Sequence, residues 1–307
     1  MPYTALADQL LHTSTEELTT DQATALRRLA DYLSEPSPYA LFLLRGYAGT
    51  GKTFLLRLIT EVAIGAGLRV ELMASTGRAA KVLSTTTGRQ ATTIHRTIYR
   101  ATTQMQEEGG AFQLASASSK QPTLFIVDEA SMITGDSSEV TPFGSGNLLD
   151  DLLAYVWSAD ESKLILVGDT AQLPPVGSSL SDALCPEVLS SRYGMTIYEA
   201  SLRQIVRQKK GGILHNATCL RELIDSSEDE DAEELLPIHL ETEGWRGITC
   251  VEHGLVLESI EAAYDRYGME ECLLICPSNK RALELNQAVR SHIFYHEEAI
   301  VRGERLI

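Results

Sequence analysis

The sequence predicts an α/β protein built on a parallel sheet, and three observations carry that prediction. Short apolar runs recur just before turn residues: Leu41 to Leu44, Val70 to Ala74, Leu124 to Val127, Leu164 to Val167 and, more weakly, Met195 to Tyr198. Helical patterns such as Phe54 to Ile64 and Leu148 to Val156 lie between several of them, so strands alternate with helices. The runs are apolar throughout rather than alternating, which fits strands buried on both faces and places chemistry in the loops at their carboxyl ends.

Each element has a local reason. The run at 41–44 leads into a glycine-bearing turn, Gly46 to Gly51, and then into the helical pattern at 54–64. The run at 124–127 ends in two acids, Asp128 and Glu129, and the run at 164–167 ends in Gly168-Asp169-Thr170-Ala171-Gln172-Leu173-Pro174-Pro175. Two polar stretches, Glu107 to Pro122 and Gly135 to Gly146, are rich in turn-forming residues between strong elements and read as surface insertions. Helical patterns after Ser201 precede two further apolar runs, Ile248 to Val251 and Cys272 to Cys276, which predict a second sheet. Two domains are therefore expected, residues 1–200 and 201–307, the first carrying a small insertion at about 97–123. Ser226 to Glu234 is a run of carboxylates without a basic residue and reads as a solvated linker or helix face.

Composition narrows the function classes. The 307 residues suffice for one large or two ordinary domains. No window reaches the roughly 18 consecutive apolar residues of a spanning helix, and Met1 to Leu11 lacks the basic start and apolar core of a signal peptide. A cytoplasmic protein with no membrane partner is expected. Cys185, Cys219, Cys250, Cys272 and Cys276 form neither a CxxC pair nor a dense framework, and read as ordinary buried thiols. A formal net charge of −16 opposes any global attraction to polyphosphate, so a nucleic-acid surface would have to be a local one.

The strongest motif is Gly46-Tyr47-Ala48-Gly49-Thr50-Gly51-Lys52-Thr53, a complete GxxxxGK[ST] between an apolar strand and a helix. Its glycines let backbone N–H groups of residues such as Ala48, Gly49, Thr50 and Gly51 turn inward around phosphate oxygens, and the helix that follows points its positive end at them. Lys52 supplies a point charge for the β and γ phosphates, and Thr53 a ligand for Mg²⁺. A second site must supply the metal's carboxylate. The strand ending in Asp128 and Glu129 offers Asp128 for Mg²⁺ and Glu129 to position and deprotonate an attacking water. Gln172, an amide after the next strand, is a candidate sensor of the γ-phosphate, while Pro174 and Pro175 stiffen its loop.

Charge is distributed unevenly. From Leu72 to Gln106 there is no Asp or Glu, yet the window holds Arg78, Lys81, Arg89, Arg96 and Arg100 among Ser, Thr, His95 and Tyr99. Such a cationic, hydroxyl-rich surface can track a phosphodiester backbone, with His95 or Tyr99 stacking a base. A solvated basic helix face, with His95 a packed core residue, is the plainer reading of the same residues.

In order, these motifs resemble those of superfamily 1B DNA helicases of the RecD-like type, including the relatives grouped with Pif and Dda. Leu18-Thr19-Thr20-Asp21-Gln22 is similar to that family's Q motif, which implies that Gln22 contacts the adenine base. Ala74 to Lys81 and Ala91 to Arg96 resemble segments that grip single-stranded DNA, implying roles for Ser75, Thr76, Arg78, Lys81, Thr93, His95 and Arg96. Ile205-Val206-Arg207-Gln208 places Arg207 where the family carries an arginine finger, with Arg203 as a rival. Cys276-Pro277-Ser278-Asn279-Lys280 resembles the start of a DNA-contacting segment of the second motor domain, implying a contact by Asn279.

The resemblance implies a RecA-like sheet flanked by helices, followed by an incomplete second RecA-like domain. It also implies ATP and Mg²⁺ as ligands, and single-stranded DNA, with a possible duplex junction, as partner. The insertion at 97–123 lies where the family inserts a duplex-splitting β-hairpin. The family's last motifs do not occur after Lys280, so the chain is expected to be the amino-terminal part of a longer protein. The expected activity is ATP-driven 5′ to 3′ movement on DNA. A P-loop ATPase acting on protein partners, and a nucleotide- and DNA-binding module without turnover, are the alternatives that the residues leave open.

Overall fold

The computed structural model describes residues 2–12, 18–101, 112–117, 121–133, 135, 142–175, 181–206, 211–227, 238–245, 247–296 and 301. The chain divides into two compact units, Met1–Gln208 and Lys209–Ile307. The first begins with helices α1 (Pro2–Leu11) and α2 (Thr20–Ser34), strand β1 (Ala40–Gly46), α3 (Lys52–Gly65), β2 (Arg69–Ala74) and α4 (Gly77–Thr87). It continues through β3 (Ala91–Thr93), α5 (Ile94–Ile98), β4 (Tyr99–Ala101), β5 (Phe112–Leu114), β6 (Thr123–Asp128) and α6 (Leu148–Trp157). It ends with β7 (Ser162–Gly168), α7 (Pro186–Tyr193) and β8 (Thr196–Leu202).

Six of these strands form one all-parallel sheet in the order β3-β2-β6-β7-β1-β8. The strand before the glycine turn and the strand ending in Asp128 are thus separated by β7, the strand order of a RecA-like sheet. Registers such as Arg45 with Gly168 and Val127 with Leu166 bring the carboxyl ends of β1, β6 and β7 out along one edge.

Side chains alternate between two cores with the period of two that a pleated strand imposes. Phe42, Leu44, Leu124, Ile126, Ile165 and Val167 face α1 to α4, where Leu29, Leu55, Ile59 and Leu83 pack on them. Leu41, Leu43, Phe125, Val127, Leu164 and Leu166 face α5, α6 and α7, meeting Ile98, Leu149, Leu152 and Leu189. Each fully buried Leu, Ile or Phe contributes about 1.5–3 kcal/mol relative to exposure, which is why the apolar runs are continuous.

Within the expected insertion, β4 and β5 pair antiparallel, Tyr99 with Leu114 and Ala101 with Phe112. Phe112 also bridges to Phe143, their rings stacked with centroids 4.6 Å apart. Much of the two expected surface insertions, at 107–111, 118–120 and 136–141, lies outside the described residues. Their described ends are not wholly superficial, because Ala117 and Gly135 are buried.

The structure corrects several expectations. Strand β8 runs on to a buried Leu202, so the first unit extends past residue 200. The five thiols are free, but none is buried: Cys250 is exposed and the others are half-buried, lying at element ends or on partly covered helix faces. In the second unit, α8 (Gly212–Ser227), α9 (Val256–Tyr267) and α10 (Asn279–Ala288) occur, but no strand is formed among its described residues. Ile248 to Val251 and Cys272 to Cys276 therefore make no second sheet. A strand is stable only where neighbours take up its N–H and C=O groups, and neither run has a strand partner. They flank a shallow apolar groove instead, and Ile275 is 89% exposed. The acidic run falls mostly at 228–237, outside the described residues. No described helix is long and apolar enough to cross a membrane.

Candidate functional site

The site is assembled at the carboxyl edge of the sheet by three adjacent strand ends. The loop after β1 turns tightly: Thr50 N–H donates to Tyr47 O (3.3 Å), and its hydroxyl donates to the same oxygen (2.8 Å). Gly49 and Gly51 have φ of 84° and 89°, left-handed values that side chains disfavour. At Gly51 a second constraint applies, because a Cβ there would lie 2.4 Å from Gln22 Nε2. Helix α3 starts directly after, its Gly51 N-cap making no side-chain hydrogen bond, and the positive end of its dipole lies at the loop.

Lys52 is folded back over the loop. Its ammonium donates to Gly46 O (2.5 Å) and Tyr47 O (3.1 Å) and lies 3.9 Å from Asp169 Oδ2. Asp169 is a site residue that the sequence reading did not assign; it is buried and also accepts from Ala171 N–H (3.0 Å). Its signal was the Gly168-Asp169 pair ending the strand beside the glycine loop. Asp128, at the end of β6, feels the Lys52 charge, and burial pushes its pKa up to about 6 despite the 2.9 Å bond from Glu129 N–H. Glu129 adopts φ 55°, a rare conformation for a residue with a side chain, which commonly marks a functional position. Gln172 is exposed, its Oε1 3.5 Å from Ser131 Oγ, the outer limit of a hydrogen bond.

The walls around the loop come from α2 and from the end of β8. Thr19 and Gln22 form a capping box at the start of α2. Gln22 is buried, and its Nε2 donates to Thr50 O at 3.1 Å. Asp21 Oδ2 accepts from the N–H groups of Arg203 (2.7 Å) and Gln204 (2.9 Å), and Val206 N–H donates to Gly49 O (3.0 Å). Lys52 and Thr53 begin α3 at the end of the loop, Asp128 lies within the field of Lys52 with Glu129 next in the chain, Gln172 reaches Ser131 just beyond those acids, and Gln22 packs against Thr50 and Gly51. Arg207 lies outside the described residues. Asn279 belongs to the second unit, exposed at the start of α10.

A buried carboxylate at one strand end, a hydroxyl at the start of α3 and an anion-receptive loop form a donor set suited to Mg²⁺ carried by a triphosphate. Thr53 and Asp128 are the side-chain oxygens that could hold such a cation.

The candidate DNA residues differ among themselves. Arg78, Lys81 and Arg96 are exposed on α4 and α5. Thr76 and Thr93 cap those two helices, accepting from Ala79 N–H and Arg96 N–H, which leaves each hydroxyl hydrogen to donate. Ser75 Oγ is buried and has no hydrogen-bond partner. His95 is half-buried against Tyr99 and Phe143, and burial lowers its pKa. Tyr99 cannot stack a base: it is buried, and its hydroxyl donates to Asp151 Oδ2 at 2.7 Å.

The chain is 32% identical over 201 residues to the ATP-dependent RecD2 DNA helicase of Deinococcus radiodurans, covering 64% of this chain and 24% of that protein. A crystal structure of Bacteroides sp Pif1 with ADP-AlF4 is 19% identical with a TM-score of 0.46, over 88% of this chain and 56% of that one. A Bacteroides Pif1 helicase with ADP-AlF3 and single-stranded DNA is 20% identical with a TM-score of 0.41, over 83% and 58%. The chain thus spans about a quarter of the curated relative's length. Residues 17–234, more than half the chain and the stretch that holds every residue of the phosphate loop and its acids, match the AAA domain family, and the chain belongs to it.

Proposed function

We propose that this chain is the ATP-hydrolysing part of a cytoplasmic DNA helicase or translocase that moves 5′ to 3′ on single-stranded DNA. The observation that carries the reading is the meeting of a complete phosphate loop, Lys52 included, with the strand-end acids Asp128, Glu129 and Asp169. The exposed cations Arg78, Lys81 and Arg96, in a chain of strongly negative net charge, support a DNA track, as does the similarity to the RecD2 helicase.

In this reading the ammonium of Lys52 leaves the Gly46 and Tyr47 carbonyls for the β and γ phosphates, a short move that exchanges neutral partners for charged ones. Thr53 and Asp128 would hold Mg²⁺, which when bound screens the triphosphate and polarises the γ-phosphoryl group. Glu129 orients a water for in-line attack on the γ-phosphorus and takes its proton as the bond to the β-phosphate oxygen breaks, giving ADP and phosphate. Gln172 senses the γ-phosphate, and Arg207 stabilises the charge that develops on it. The cations at 78, 81 and 96, with Ser75, Thr76, Thr93 and Asn279, grip the strand, and the β4–β5 pair meets a duplex junction.

Strand displacement tests the reading. Duplexes bearing a 5′ or a 3′ single-stranded tail are mixed with the protein, Mg²⁺ and ATP. ATP-dependent displacement of the 5′-tailed duplex is expected. Displacement of neither duplex, combined with hydrolysis indifferent to DNA, would favour an ATPase that acts on protein partners.

A further inference from the structure

Gln22 is committed at both ends of its amide. Oε1 accepts from Thr19 N–H (3.1 Å) inside the capping box, and Nε2 donates to Thr50 O (3.1 Å) in a buried bond. The side chain is 3% exposed, and Gly51 packs so closely on it that no Cβ would fit between them. A group poised to read a base would present an open polar edge to a cleft, and Gln22 presents its edge to the phosphate loop.

The bond to Thr50 O has a geometric consequence. A trans peptide is planar, so the C=O and N–H of the Thr50–Gly51 unit point in opposite directions. A donor fixed on Thr50 O therefore aims the Gly51 N–H away from Gln22, toward the inner side of the turn. Gly51 has a left-handed φ of 89°, and Thr50 is held from the other side by its two bonds to Tyr47 O. Without the Gln22 donor, that buried carbonyl is unsatisfied and the peptide plane is free to rotate.

We infer that Gln22 is a positioning residue for the phosphate loop: it presets the Gly51 N–H for a phosphate oxygen, so it governs affinity for the triphosphate whatever base is attached. The inference rests on the loop being a triphosphate cradle, but not on the coupling of that cradle to DNA.

The test removes the base. Binding of inorganic tripolyphosphate, ATP and GTP, each with Mg²⁺, is measured by calorimetry on the wild-type protein and on Gln22→Ala and Gln22→Met, well below the unfolding midpoint of each. Both substitutions should weaken tripolyphosphate and ATP by the same factor, about tenfold for the loss of one buried bond, with the ATP-to-GTP ratio unchanged. The Met variant keeps the side-chain volume and carries the test if the Ala variant does not fold. Unchanged tripolyphosphate affinity, or a collapsed ATP-to-GTP ratio, would overturn the inference. Wild-type protein that binds no tripolyphosphate overturns both the inference and the cradle. Normal tripolyphosphate binding without DNA-stimulated hydrolysis sinks the motor reading alone.

Discussion

Glu129 shows how a single residue can be both conformationally costly and chemically placed. Its left-handed backbone follows the last residue of a fully buried strand, so the strand ends abruptly and the carboxylate sits beside, not inside, the core. Glu129→Gln keeps the size and the polar contacts but removes the proton acceptor. It should leave ATP affinity near the wild-type value while cutting turnover by about 10²–10⁴-fold, as read by equilibrium binding alongside steady-state hydrolysis. Near-normal turnover would move the base elsewhere. At this scale the sequence revealed the residues whose chemistry depends on local order: the glycine turn, Lys52, and the acids ending a strand. It did not reveal Asp169 beside Lys52, since that 3.9 Å approach depends on β7 lying next to β1, a tertiary fact. Nor did it reveal that Tyr99 is buried, because a short strand with one covered side chain has no periodicity to read.

Among the elements, legibility followed burial. Strands β1, β6 and β7, covered on both faces, appear in the sequence as unbroken apolar runs. Edge strand β8 is longer than its apolar run because Glu199 and Ser201 are polar, and Glu199 pairs with Arg45 of β1. The three-residue strands β3, β4 and β5 are too short to show a pattern. The apolar runs of the second unit illustrate the converse, since hydrophobicity without a strand neighbour makes no sheet. Helix α2 is tied to the sheet by Tyr32, whose hydroxyl donates to Leu164 O (2.9 Å) and accepts from Leu164 N–H (2.8 Å) in the fully buried core. Tyr32→Phe strands both groups and should cost about 1–3 kcal/mol, lowering the thermal midpoint without altering nucleotide affinity. An unchanged midpoint would mean that water or a shifted side chain replaces the hydroxyl.

For the whole molecule the governing tension is electrostatic. A chain with a net charge of −16 repels a polyanion at long range, so the proposed DNA track would have to rest on the few cations exposed on α4 and α5. Affinity for single-stranded DNA should therefore fall steeply with salt. Arg78→Ala or Lys81→Ala should weaken it and flatten the logarithmic salt slope by about 0.7 for each phosphate that is no longer neutralised; a slope unaltered in both variants would remove the proposed track.

If a triphosphate seated on the loop at 46–53 drives work on DNA, hydrolysis depends on both, and steady-state ATP hydrolysis with and without single-stranded DNA, in wild type and in Lys52→Ala, is the sharpest test of that coupling. Severalfold stimulation by DNA is expected in the wild type, with a fall to about one-hundredth or less in the variant, the scale of removing one charge aimed at the transition state. Hydrolysis that ignores DNA, or that survives without the Lys52 ammonium, would contradict it.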